Sequence, residues 1–261
     1  STPADFTSLN TSLTASGVVI VDLDSGQTLY ERGVDKPLPM ASLTKLMTVL
    51  LIVEHHSLDE IVNVPPQAAD VVGTDVHLPI NNHFTVGDLL SAALSPSAND
   101  AALSLAVYDA GSMKAFSEKM NERAKELGLT ETNYENSIGL DDEHQQSSPR
   151  DLALLAMTVL RHDEIRERMS TEQMIIRSLE GNSVTLVHSH HLLDVPLEAS
   201  LTGSNKTGDA IVRAGKTGTT DEAGQCLLSI VEAGGRQYVK VFLHSRDRYA
   251  AMRTVLESLS R

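Results

Sequence analysis

Strand-type sequence lies at the two ends of this 261-residue chain, and helix-type sequence lies between them. Near the start, residues 18–22 and 27–31 flank a turn that contains Gly26, which predicts a hairpin. Three strands are predicted near the end, at residues 210–216, 225–232 and 237–244, before a closing helix at about residues 246–259. The sequence therefore predicts an α+β fold, in which an antiparallel sheet built from the N- and C-terminal strands is flanked by helices and carries an inserted all-helical lobe.

The middle of the chain contains several helix signals. Residues 41–54 are apolar on nearly every side, which is typical of a buried helix. Capping residues predict three further helices, which begin after Thr85, Ser112 and Ser148. A fourth is expected to begin near Asp100. We expect a single catalytic domain over residues 1–261, with a sheet lobe at about 16–58 and 205–261 and a helical lobe at about 59–204.

Charge and composition exclude several classes of protein. The chain has 21 Lys and Arg against 35 Asp and Glu, a net charge of −14, which repels the phosphate backbone of nucleic acids. The longest apolar stretch, residues 46–53, is far shorter than the ~20 residues needed to cross a bilayer. A single cysteine, Cys226, excludes an intrachain disulfide. Because the sequence begins with Ser1, we expect a mature or trimmed chain whose signal peptide has been removed.

The first chemical motif is S-x-x-K, which Ser42 and Lys45 form at the start of the predicted buried helix. Residues three apart share a helix face, so the lysine nitrogen can reach the serine hydroxyl. A serine hydroxyl is a weak nucleophile and needs a base nearby. Burial and the positive end of the helix dipole both lower a lysine pKa toward the range that a base needs. The alternative is a capping serine beside a lysine that serves only packing.

Two more motifs follow along the chain. Ser97 and Asn99 form S-x-N in a loop after Pro96, a pattern that also occurs in ordinary turns. Lys216, Thr217 and Gly218 form K-T-G inside predicted strand sequence, followed by Thr219. A second K-T-G begins at Lys206, within turn-type sequence. We favour the later copy, because an extended segment can present a cation, a hydroxyl and a bare backbone along one edge.

The order S-x-x-K, S-x-N, K-T-G resembles the motif set of penicillin-binding proteins and class A β-lactamases. Further stretches resemble the low-molecular-mass penicillin-binding proteins, the D-alanyl-D-alanine carboxypeptidase and endopeptidase family. The likeness covers roughly residues 16–260. Besides the motifs and the opening strand pair, it is carried by residues 39–41, 97–101, 136–140, 148–152 and 223–224.

The resemblance implies an acyl-serine reaction. Ser42 would attack the carbonyl between two D-alanines, and Lys45 would remove its proton. The backbone N–H groups of Ser42 and Thr219 would form the oxyanion hole. Ser97 would pass a proton to the leaving amine.

The same resemblance assigns the binding groups. Asn99 would hold the substrate amide and Lys45, and Lys216 and Thr217 would bind the terminal carboxylate, with Gly218 allowing close approach. No metal or organic cofactor is implied. The expected partners are peptidoglycan stem peptides, and β-lactam antibiotics as covalent inhibitors, so the expected location is outside the cytoplasm, periplasmic or secreted.

Two departures from the wider set bear on function. The E-x-x-L-N pattern that supplies a deacylating glutamate in class A β-lactamases is absent, and Glu131 is the nearest candidate. Larger carboxypeptidases of this kind carry a C-terminal β-rich domain and a membrane anchor, which do not occur before Arg261. We therefore expect a trimmed chain or a short, endopeptidase-like member.

Other readings stay open at this stage. A serine β-lactamase and a non-catalytic penicillin-binding sensor domain would carry the same motifs. His188, His190 and His191 could hold a metal, although no third ligand with suitable spacing is evident and hydrogen-bonded histidines are the simpler interpretation. We expect Cys226 to be a buried core residue and residues 141–143 to be a solvated acidic loop.

Overall fold

A five-stranded antiparallel sheet joins the two ends of the chain in the computed structural model, which describes residues 9, 13–194 and 210–259. Its strand order is β2-β1-β9-β8-β7, so the two N-terminal strands pair with the C-terminal ones. The predicted fold class is confirmed. The strands of this sheet are β1 Gly17–Asp22, β2 Thr28–Arg32, β7 Ile211–Thr220, β8 Gly224–Ala233 and β9 Arg236–Ser245.

Both faces of the sheet are buried, which explains why its central strands are apolar on consecutive residues. Along β1, Val19 belongs to the core shared with the helices, whereas Val18 and Ile20 belong to a second core on the other face. That second core is covered by the closing helix α7 Arg248–Leu259. Strand β7 is the last strand of this sheet and carries the K-T-G motif.

The segment between the sheet strands is mainly helical, and four of its helices begin where the sequence predicts. Thr85 and Asp88 form a reciprocal capping box, and the hydroxyls of Ser112 and Ser148 accept N–H bonds from the next helices. The helices are α1 Lys45–His55, α2 Val86–Leu94, α3 Asn99–Ala110, α4 Met113–Glu126, α5 Pro149–Val159 and α6 Asp163–Ser170. A 3-10 turn, Ala41–Thr44, precedes α1 and is continuous with it.

The inserted segment also contains two short hairpins and helix α6, which the sequence analysis missed. The first hairpin pairs β3 Ile61–Asn63 with β4 His83–Thr85, and the second pairs β5 Gln173–Arg177 with β6 Ser183–Val187. The strands are three and five residues long, too short to show a clear alternation. A segment predicted to hold only helices thus contains two small sheets.

Two helices fix the relation between the sheet and the helical segment. Helix α1 contacts α2, α3, α4 and α5, and its leading 3-10 turn contacts β7 and β8. Helix α5 packs against β1 and β9, although its residues lie within the predicted helical lobe. The S-x-x-K motif therefore lies where the helices meet the sheet. No helix of the described residues is both long and apolar enough to span a membrane.

Candidate active site

Ser42 and Lys45 lie beside each other at the junction of the 3-10 turn with α1. Lys45 Nζ is 2.9 Å from Ser42 Oγ, as the three-residue spacing predicts. The same Nζ donates to Asn99 Oδ1 at 2.6 Å and to the carbonyl oxygen of Ile138 at 2.8 Å. The lysine is fully buried, and these contacts aim its nitrogen at the serine hydroxyl.

Burial makes Lys45 a candidate base. Removal from water lowers its pKa to about 7, and the carboxylate of Asp100 opposes part of that effect. A lysine with a pKa near 7 is neutral in a large fraction of molecules at neutral pH and can accept a proton.

The second and third motifs meet beside the first, where the helical segment faces β7, and we call the site between Ser42, Ser97 and Lys216 the cleft. Lys216 Nζ donates to Ser97 Oγ at 2.6 Å and to the carbonyl oxygen of Thr217 at 3.0 Å. Ser97 has a φ of 72°, a backbone conformation that non-glycine residues seldom adopt. Burial lowers the pKa of Lys216 well below its usual value, and the positive charge of Lys45 lowers it further. The structure therefore brings the hydroxyl of S-x-N and the cation of K-T-G into direct contact.

Asn99 is held in place by the loop in front of it. Its side-chain nitrogen donates to the carbonyl oxygen of Val72 at 2.6 Å, while its oxygen accepts from Lys45. The next residue, Asp100, accepts the backbone N–H groups of Val76 and Leu78. Asp100 is buried and thus ties the loop at residues 72–78 to the start of α3, where Asn99 lies.

Two glycines allow the backbone around Ser42 to pack closely. A Cβ atom on Gly218 would lie 2.7 Å from the Ser42 nitrogen, and a Cβ atom on Gly139 would overlap the carbonyl of Ala41. Gly139 also has a φ of +89°. This close approach brings β7, and Thr219 after Gly218, next to the backbone of Ser42.

Arg248 is a site residue that sequence analysis missed. Its guanidinium donates to the carbonyl oxygens of Gly218 and Cys226, both at 2.9 Å, and to Thr219 Oγ1. Burial lowers its pKa. Arg248 lies in no motif, and only the packing of α7 on the sheet brings it to the K-T-G strand.

The remaining predicted candidates fall into three groups. The second K-T-G, at Lys206, lies outside the described residues. His188 and His190 are buried and bonded within the protein, and no cluster of three or more His, Cys, Asp or Glu side chains suited to a metal occurs among the residues that the structure describes. Cys226 is buried, which raises its pKa to about 11.

The acidic loop at residues 141–143 is exposed, as predicted, and one of its residues also bonds to β7. Asp141 accepts from the Thr220 hydroxyl at 2.5 Å and from the backbone N–H of Glu222. Its neighbours Asp142 and Glu143 are exposed. Asp141 thus ties the acidic loop to the end of β7 beside the cleft.

The fold and the site define a class: proteins in which a serine and two lysines meet between a sheet and a helical segment. A family model described as D-alanyl-D-alanine carboxypeptidase matches residues 4–247. The chain therefore belongs to the D-alanyl-D-alanine carboxypeptidase family.

Known proteins resemble this chain over most of its length. It is 31% identical over 232 residues to D-alanyl-D-alanine carboxypeptidase DacF of Bacillus subtilis, covering 87% of this chain and 56% of that protein. It is 28% identical over 251 residues to the D-alanyl-D-alanine endopeptidase of Escherichia coli, covering 95% and 77% respectively. The solved structure of the Streptomyces K15 DD-transpeptidase superimposes on this chain with a TM-score of 0.81 at 26% sequence identity. The match covers 95% of this chain and 95% of that one. The chain thus spans about half the length of the Bacillus relative.

Proposed function

We propose that this protein is an acyl-serine DD-peptidase that cleaves D-Ala-D-Ala ends, or D-Ala-containing crossbridges, of peptidoglycan peptides outside the cytoplasm. The observation that carries the proposal is the contact of Lys45 Nζ with Ser42 Oγ at 2.9 Å, opposite the Lys216–Ser97 pair. One lysine serves a nucleophile, and the other supplies a cation for a carboxylate.

In the acylation step, Lys45 takes the proton of Ser42 as Oγ attacks the peptide carbonyl carbon. The developing oxyanion is bound by the N–H groups of Ser42 and Thr219, which supports acyl transfer without a metal. Ser97 passes a proton to the leaving amine, and Asn99 holds the substrate amide. Water then cleaves the acyl-enzyme ester and releases Ser42.

The carboxylate end of the substrate binds beside Lys216 and Thr217, with Gly218 allowing the approach. Arg248 adds positive charge to this end of the cleft through its contact with Thr219. A dry site with two cations favours a terminal carboxylate strongly, because a charge-assisted hydrogen bond is roughly twice as strong as a neutral one.

The direct test is product analysis with two substrates. We expect a pentapeptide monomer to release D-alanine, a crosslinked dimer to yield two monomers, or both. The ratio of the two cleavage rates gives the preference for carboxypeptidase or endopeptidase activity. Ser42→Ala should abolish either product. A protein that turns over neither substrate but still acylates with penicillin would instead be a sensor domain.

The lifetime of the adduct with penicillin distinguishes a DD-peptidase from a β-lactamase. Its carbonyl and carboxylate would occupy the same groups as the peptide, so we expect one covalent adduct at Ser42. Among the described residues no carboxylate hydrogen-bonds to Ser42 or Lys45, and the backbone N–H of Glu131 bonds instead to Asp151 at the start of α5. The adduct should therefore last minutes or longer in intact mass spectra. Rapid return to the unmodified mass with excess penicillin hydrolysed would favour a β-lactamase.

A further inference from the structure

Ser189 links the two sides of the cleft beside the K-T-G motif. It follows β6, and its backbone N–H donates to the carbonyl oxygen of Ser95, two residues before Ser97, at 2.9 Å. Its hydroxyl oxygen lies 2.6 Å from Thr217 Oγ1. Ser189 therefore contacts both the loop that carries S-x-N and the strand that carries K-T-G.

The two histidines on either side of Ser189 hold the backbone there. His188 Nδ1 accepts the backbone N–H of His190 at 2.9 Å, and His190 Nδ1 accepts the backbone N–H of Leu192 at 3.2 Å. Each imidazole thus closes a turn with the residue two positions ahead. Because Nδ1 accepts in both rings, the ring proton lies on Nε2, and in His190 that nitrogen donates to Ser229 Oγ at 2.8 Å.

Both imidazoles stay neutral at physiological pH, as these turns require. Burial lowers the pKa of His188 to about 4, with Lys216 contributing, and burial lowers the pKa of His190 to about 3. A protonated ring would have no lone pair on Nδ1, so protonation would open the turn.

Tyr249 and Gly215 complete the support. The Tyr249 hydroxyl donates to the carbonyl oxygen of Ser189 at 3.0 Å and accepts the backbone N–H of His191 at 3.2 Å. The His190 ring lies against the backbone of Gly215, where a Cβ atom would overlap it. The backbone of Ser189 is therefore bonded at both its nitrogen and its oxygen, and its hydroxyl keeps a fixed place beside Thr217.

A pair of hydroxyls has two protons and needs only one of them for the bond between the two oxygens. Ser189 is half-buried and Thr217 is 7% exposed, so the pair lies at the floor of the cleft. When Ser189 donates to Thr217 Oγ1, the proton of Thr217 is directed to another acceptor. Because Lys216, the neighbouring residue, carries a cation, an anionic acceptor is favoured at this position.

We propose that Ser189 is a positioning residue for the terminal carboxylate of the substrate: it donates to Thr217 Oγ1 and thereby turns the Thr217 proton toward that carboxylate. This inference rests on the proposed function and deepens it. The two histidine turns matter because they fix the backbone from which Ser189 acts.

The test is the effect of Ser189→Ala on cleavage of a D-Ala-D-Ala peptide. We expect kcat/KM to fall about tenfold, which is the usual scale for one hydrogen bond to a charged group, mainly through a higher KM. Ser189→Thr keeps the donor and should restore most of the loss. Ser183→Ala, which removes an exposed hydroxyl from β6, is the matched control and should behave as the wild type.

A double-mutant cycle separates positioning from a structural effect. In a Thr217→Val background, Ser189→Ala should cause no further loss, because the hydroxyl through which it acts is absent. An equal loss in both backgrounds, or wild-type kinetics for Ser189→Ala, would overturn the inference.

The wild type distinguishes a failed inference from a failed proposed function. If the wild type cleaves neither the pentapeptide monomer nor the crosslinked dimer, the proposed function fails, whether or not benzylpenicillin forms an adduct. If it cleaves a peptide and the Ser189 variants give the overturning results on that peptide, only the inference fails.

Discussion

Under the proposed function, Lys45 sets the pH range in which Ser42 can be activated. With a pKa of about 7, the lysine is an ammonium below that pH and cannot accept a proton from Ser42. We therefore expect the rate of penicillin acylation to rise as the pH increases through about 7 and then to level off. Quench-flow mixing followed by mass analysis, from pH 5.5 to 9 at constant ionic strength, measures this acylation rate.

Asp100 supplies a control for that assignment. Its carboxylate raises the pKa of Lys45, so Asp100→Asn should move the midpoint of the profile to lower pH. A midpoint that does not move would mean that a different group controls the rate.

Lys216 and Lys206 are distinguished by single substitutions. Lys216 lies in β7 and bonds to Ser97, so we expect Lys216→Ala to lose about 10²- to 10³-fold in kcat/KM on a D-Ala-D-Ala peptide. Lys206→Ala, changed in the same way, should keep wild-type kinetics. The reverse result would place the carboxylate anchor at the earlier K-T-G.

Residues in motifs could be predicted from sequence, and residues brought in by packing could not. Ser42 and Lys45 are three positions apart on one helical turn, so their contact follows from local geometry. Arg248 is 30 positions from Gly218 and lies in no recognisable pattern. Its contact with Gly218 depends on where α7 packs against the sheet. No spacing of residues in a single sequence indicates that position.

At the scale of elements, Arg248 joins α7 to β7 and β8. Its guanidinium bonds to two backbone carbonyls and also donates to Gln225 Oε1 at 3.3 Å. Lysine keeps the charge but has no planar fork, so Arg248→Lys should lower kcat/KM and cost about 1–3 kcal/mol of unfolding free energy. Urea unfolding and peptide kinetics measure the two effects.

Arg246→Lys provides the comparison, because Arg246 is an exposed arginine two positions earlier. We expect Arg246→Lys to change neither kcat/KM nor the free energy of unfolding. Full activity of Arg248→Lys would show that charge alone suffices at this position.

Elements with strong terminal signals were predicted well, and short elements were not. Two helix starts were predicted from capping residues that also cap the helices in the structure: Thr85 with Asp88, and Ser148 with Pro149. The pair β3 and β4 has three residues in each strand, and the paired residues are about 20 or more positions apart in sequence, so neither alternation nor a short turn marks the pairing.

At the scale of the whole molecule, His56 joins the end of α1 to the end of α3. Its ring nitrogens lie 2.9 Å from Glu60 Oε2 and 3.0 Å from Asp109 Oδ1. Burial alone would lower the pKa of His56, but the two carboxylates outweigh burial and raise it. The stabilisation is therefore fully present below the unfolded pKa of about 6.5 and is lost as the pH rises through the higher folded value.

His56→Gln should consequently destabilise the protein more at pH 5.5 than at pH 9. Urea unfolding of the wild type and the variant at several pH values gives the difference directly. His144→Gln changes an exposed histidine and should show no such trend. A His56→Gln deficit that is constant with pH would exclude the charged pairings as its cause.

The packing of Gly139 and Gly218 against the backbone of the nucleophile limits how this protein can change over generations. A side chain at Gly218 would displace the Ser42 nitrogen itself rather than narrow the space for a ligand. Under the proposed function, the same nitrogen serves both the natural peptide and the antibiotic. A substitution at either position that hinders acylation by the antibiotic would therefore hinder acylation by the peptide as well.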